Sequence, residues 1–290
     1  SSGDNTLLGY AAGNKLAAHA DGDQNTAVGH NAMLSSKGDG NVAVGYRAMY
    51  TAGDNDHNTC VGYDAGLALA GAPGNTLIGY KAGTAMTTGD CNVAIGKQAL
   101  DGITDGDHNI AIGLDALGNG ASASDHCIGI GKDALKMQNH ADCINLAIGG
   151  LAGDAISTGT KNVLIGHEAG SALADDSSNT ALGYNALTAS TAGNFNTAIG
   201  AECMNAAISG GGNTAVGAAA MQAAAAEMTD NTAVGSSALL NLNSATADKN
   251  VAIGYSAGRY TTAGGAGTAV TNVINGVYLG YETNSVAAAG

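Results

Sequence analysis

The chain has 290 residues and a formal net charge of −14, with ten Lys and Arg against 24 Asp and Glu, which argues against a nucleic-acid partner or an anionic membrane surface. It has no Trp, one Phe and one Pro but 46 Gly, so a core rich in bulky aromatics is excluded and each structural unit must have a thin interior. Five Cys, an odd number, do not suggest a disulfide framework, and no apolar run reaches the 18 residues or so that membrane insertion needs.

One phrase of nine residues, N-[TV]-x-[VIL]-G-x-x-A-[GLM], can be placed sixteen times. Its copies begin at residues 5, 25, 41, 58, 75, 92, 109, 127, 145, 162, 179, 196, 213, 231, 250 and 276. The opening SSGDNTLLGY already lies inside the first copy and carries no signal-peptide pattern. Most steps are 17 or 18 residues, with extremes of 16 and 26, and all length variation falls between the phrases. A rigid stacked unit with loops on one side would produce this, and the period suits one coil of a β-solenoid. The expected fold is therefore all-β, a parallel β-solenoid of about sixteen coils forming a single domain over 1–290. The copy within 276–290 is an atypical terminal coil.

The columns carry more detail. Position one is Asn except at Cys127 and Gly276, and stacked Asn amides can bond along the axis. Positions two to four read as a short strand, whose alternation puts two and four on one face and three on the other. The larger side chains at two and four are assigned to the interior. Position three, Ala in ten copies (Ala111 and Ala147 among them), is then assigned to a flat face against other chains. Position five is Gly in every copy. Position six holds seven of the ten Tyr, and the mostly polar position seven is read as facing solvent.

In chain order, several local patterns suggest chemistry. Asp-x-Asp-x-Asn at 21–25, 54–58 and 105–109 resembles the opening of a calcium loop, but lacks its sixth-position Gly and twelfth-position Glu. A solvated Asp- and Gly-rich turn explains it as well. His108, His126, Cys127, His140 and Cys143 gather over three coils with His108 and His126 in one column, yet the spacing fits no compact zinc module. Cys60, Cys127 and Cys203 read as small residues in ladder columns. GHEAG at 166–170 lacks the second His of a zinc-protease helix, and GYSAG at 254–258 matches a nucleophile elbow only in letters. An ice-binding array of Thr is weakened by the Val, Ile and Leu in position two and by its inward assignment. No catalytic, cofactor or metal site residue is assigned.

The phrase resembles the head repeats of trimeric autotransporter adhesins. It is also similar to Ala- and Gly-rich repeats of bacteriophage and prophage tail fibres, a likeness carried by NTALGYNALTASTAGNFNTAIG at 179–200 and NGVYLGYET at 275–283. That resemblance implies a left-handed parallel β-roll, packed with two further copies as a homotrimer of parallel chains. It implies a non-enzymatic fibre segment of a viral tail or cell-surface appendage, extracellular or on the virion. Its variable loops would be free to meet a glycan or protein receptor. The alternatives are a calcium-dependent secreted repeat protein and a polysaccharide-acting β-helix enzyme.

Overall fold

A computed structural model describes residues 3–16, 22–51, 53–120, 124–189, 193–206, 209–223, 227–241, 247–259 and 274–283. The chain is a parallel β-solenoid with one three-residue strand per phrase and, among the described residues, no helical element. Its contacts divide it into two compact units, Ser1–Asn145 and Leu146–Gly290. The first holds β1 (Thr6–Leu8), β2 (Thr26–Val28), β3 (Val42–Val44), β4 (Thr59–Val61), β5 (Thr76–Ile78), β6 (Val93–Ile95), β7 (Ile110–Ile112) and β8 (Ile128–Ile130). The second holds β9 (Leu146–Ile148), β10 (Val163–Ile165), β11 (Thr180–Leu182), β12 (Thr197–Ile199), β13 (Thr214–Val216), β14 (Thr232–Val234), β15 (Val251–Ile253) and β16 (Val277–Leu279). Within each unit every strand pairs in parallel with the next, and position pairs with like position: Thr180↔Thr197, Ala181↔Ala198, Leu182↔Ile199. The strands occupy positions two to four of all sixteen phrases, as the spacing predicts.

The faces are reversed from the expectation. Position three is the interior column: Ala27, Ala43, Ala94, Ala111, Ala147, Ala181, Ala198, Ala215, Ala233 and Ala252 are all fully buried. Positions two and four point outward and are half-buried or exposed. The reason is the width of the coil. Position eight (Ala32, Ala48, Ala65) and position nine (Met33, Met49, Leu100) also face inward, so the strand meets an opposite wall at short range. Only a small side chain on the strand leaves room for Leu or Met across from it.

Volume is traded between these columns. Where position three is larger, as in Leu7, Cys60, Leu77 and Leu164, position nine of the same coil is Gly13, Gly66, Gly83 or Gly170. A Cβ added at Gly170 would lie 2.7 Å from Leu164 Cδ2 and 2.8 Å from Leu173 Cδ1. After a Gly at position nine, a large apolar residue three places on fills the same layer, as with buried Leu16, Leu69, Met86, Ile156 and Leu173.

Backbone shape fixes the corners. Position seven is left-handed in all sixteen coils, for example Arg47 (φ 50), Asp133 (φ 57) and Ser256 (φ 52). That conformation turns the side chain along the surface instead of into solvent. Asp64 (3%), Asp133 (6%) and Ser256 (1%) are buried by it, against the expectation of a solvent column. Position five needs Gly for two reasons. Gly200 has φ 136, and a Cβ there would lie 2.5 Å from the Gly217 carbonyl oxygen of the next coil.

The Asn column is fully buried along most of its length, and its bonds differ from a plain amide stack. Each Oδ1 accepts the backbone N–H of the next coil's position one, as in Asn92 to Asn75 (2.8 Å) and Asn196 to Asn179 (2.9 Å). Most Nδ2 groups reach a loop carbonyl, as Asn92 does to Gly106 (2.8 Å), while Asn145 donates to the Gln138 side chain (2.8 Å) and Asn179 Nδ2 is left unpaired among the described residues. One side chain thus ties strand to strand and strand to loop. The ladder is interrupted at Cys127, whose N–H donates to Asn109 Oδ1 (2.9 Å) but whose side chain has no amide to pass on. There a covalent link stands instead: Cys127 is bonded to Cys143, with Cα atoms 5.6 Å apart. The odd Cys count hid this single disulfide.

Candidate functional site

Three outward surfaces run along the coils. The first is the outer face of the strands. Position four exposes Ile78, Ile95, Ile148, Leu182, Val234 and Ile253 beside the Thr or aliphatic of position two, so each unit carries an apolar row on a regular sheet. A row of this kind is unusual on a surface that meets only water. Because Thr26, Thr59, Thr197 and Thr214 also face outward, the inward assignment that weakened the ice-binding pattern does not hold.

The second surface is position six. Tyr10, His30, Tyr46, Tyr63 and Tyr80 form one continuous stack with centroids 4.9–5.4 Å apart. Pairs recur at His167 with Tyr184 and at Tyr255 with Tyr281. Beside the long stack, Arg47 donates to both carboxylate oxygens of buried Asp64 (2.8 and 2.6 Å), with its guanidinium 5.2 Å from the Tyr46 ring centre. These rings face one another along the solenoid, leaving their edges and hydroxyl groups outward. They stabilise coil-to-coil contact more than they offer a flat platform.

The third surface is the loop side, where most acidic residues lie. The middle Asp of each calcium-like opening has a structural partner. Asp23 and Asp39 donate their backbone N–H to Asp39 and Asp56 side chains, and Asp90 and Asp107 donate to those of Asp107 and Asp125 (2.7–2.8 Å). The Asn that closes each opening, Asn25, Asn58 or Asn109, belongs to the buried ladder. Asp21, the first residue of one opening, lies outside the described residues. Among the described residues no three His, Cys, Asp or Glu converge as a metal site. His108 and His126 do stack, 5.3 Å apart and nearly coplanar in orientation, close to the column spacing expected.

Other sequence candidates fall into place as architecture. Ser256 is buried in a left-handed turn, and its N–H donates to the Ser236 carbonyl. His167 is exposed over Tyr184, 3.7 Å from Glu168. Burial pushes the Cys60 and Cys203 thiols up to about 12, so both are held as thiols in the core. Asp115 and Asp133, both expected to be exposed, share Lys136 (3.9 and 2.8 Å).

Comparison with protein-family models, curated proteins and solved structures finds no match. The surfaces themselves must therefore carry the functional reading. On the loop side of the second unit they include a hollow of 520 Å³ floored by Gly211 and Gly212 and flanked by Phe195 and Asp230. The chain's single Phe gave no signal in the sequence beyond its rarity. What could have marked it was its place in the column before Asn, followed one coil later by Gly212.

Proposed function

We propose that the chain is a structural segment of a fibre on a virion or cell surface, which assembles as a parallel homotrimer through the outer strand face. The observation that carries this reading is the in-register row of outward aliphatic residues in every coil described, displayed by a scaffold whose interior is already filled. Covering such a row removes apolar area at about 25 cal/mol per Å², and the gain accumulates coil by coil. Parallel chains favour it because all rows share one repeat, so a partner in register meets each rung alike. The resemblance to adhesin-head and tail-fibre repeats sets the number of chains at three. The Ala column, first assigned to this interface, is replaced by positions two and four.

Mass measurement of the native assembly tests the proposal. The expected result is three chains, with Ile95→Lys and Ile253→Lys lowering the assembled fraction while the circular dichroism of the strands persists. A protein that stays monomeric at micromolar concentration overturns it.

A further inference from the structure

The hollow beside Phe195 has the chemistry of a small ligand site. In the column before Asn, successive coils of the second unit place Phe195, Gly212 and Asp230 in line. The backbone fixes that order: Gly212 N–H donates to the Asn194 carbonyl (3.1 Å) and Asp230 N–H to the Gly211 carbonyl (3.2 Å). Phe195 is 70% exposed, the largest apolar side chain left uncovered among the described residues on the loop side of this unit. Its downstream neighbour in the column has no side chain. The space a side chain would occupy there is approached instead by Asp230, whose Oδ1 lies 2.7 Å from the Cβ position of Gly212.

A ring and a carboxylate thus line one hollow over the Gly211–Gly212 backbone, with Asp230 Oδ1 lying where a Gly212 side chain would begin. Carbon surfaces pack at about 3.5–4.0 Å, so a flat ring laid on Phe195 fits in the outer part of the hollow, beyond the Asp230 oxygen that fills the inner Gly212 step. Its rim then lies within reach of the acceptor-only Asp230 carboxylate, which takes hydrogen bonds from hydroxyl groups. An apolar face stacked on an aromatic ring with hydroxyl groups at the rim is the outline of a pyranose. Galactose-type sugars fit best, because their axial O4 leaves three adjacent C–H groups on one face. The charge selects further. Asp230 is the one charged residue of the lining among the described residues, and anionic sugars are repelled.

We propose that Phe195, Gly212 and Asp230 form a binding site for a neutral galactose-type pyranose. The proposal rests on the reading of the chain as a surface fibre only for its biological setting. The single Phe supplies the test. Protein labelled on Phe alone gives one set of ring signals, all from this site, which are followed while methyl β-galactoside is added to the full chain. A saturable shift is expected, together with weaker or no response to methyl α-glucoside and none to sialic acid. Asp230→Asn, which keeps the left-handed turn, should weaken binding about three- to tenfold by NMR of the sugar, and Phe195→Asn should do the same or more. If either variant misfolds, the titration of the unaltered protein still decides. No shift up to the solubility limit of the sugar overturns the proposal, as does a stronger response to sialic acid. A trimer without sugar binding would sink this site and leave the fibre reading standing.

Discussion

Replacing Asn196 by Ala tests whether the buried amide column holds the coils together. Asn196 is fully buried. Its Oδ1 accepts the Asn213 backbone N–H and the Asn213 side-chain amide (both 3.1 Å), and its Nδ2 donates to the Gly210 carbonyl (3.1 Å). Truncation leaves the Asn213 N–H and the Gly210 carbonyl without these partners in a dry interior. Each orphaned group costs about 1–3 kcal/mol, so the local loss is about 2–6 kcal/mol before any cavity is counted. The N–H of Asn196 itself still donates to Asn179 Oδ1 (2.9 Å), which confines the damage to one step. Repeat stacks respond through nearest neighbours, so a global transition would dilute the effect. Native-state hydrogen exchange reads it directly. The Asn213 amide should lose protection by a factor of about 30 or more, since about 1.4 kcal/mol is tenfold, while amides several coils away in the same unit change little. A loss below threefold at Asn213 would refute the ladder as a source of stability. Equal loss in distant coils would refute the nearest-neighbour reasoning.

Three further outcomes follow from the interior and its links. Ala111→Gln should unfold its region, because an amide placed in a full layer is both oversized and unpaired, at a cost of about 3 kcal/mol or more; Ile112→Gln, on the outward face, should leave urea unfolding nearly unchanged and weaken assembly instead. Reducing Cys127–Cys143, which are separated by 16 residues, should lower the stability of the first unit by about 3 kcal/mol in urea titrations with and without reductant, and Cys127→Ser should abolish that difference. Burial raises the pKa of Asp176, with Asp175 adding to the rise and the Gly193 N–H opposing it. Its charged form is thus disfavoured in the folded state, and that penalty fades as pH falls through its folded pKa. Asp176→Asn should therefore raise the urea midpoint at neutral pH, with the advantage shrinking towards acid; an advantage that grew in acid would contradict this sign.

The sequence by itself determined the repeat, the strand positions and the parallel register. The same nine residues recur without internal insertion, and only equal stacked coils satisfy that. It also contained, unused, the evidence for which face is inside. Leu7, Cys60, Leu77 and Leu164 at position three each meet a Gly at position nine, a compensation that only residues sharing one layer require. Size at a single position misled, because a thin coil puts its small residues inward and leaves Val and Ile outside. Other features depended on folding. Position seven is left-handed in every coil and buries Asp64, Asp133 and Ser256 along the surface, which polarity alone could not reveal. Cys127 and Cys143 become partners only when the coil between them closes and brings their Cα atoms to 5.6 Å. Phe195, Gly212 and Asp230 lie 17 and 18 residues apart along the chain, and stacking makes them neighbours. A local pattern fixes what one coil is; which side chains share a surface is decided by how each coil lands on the next.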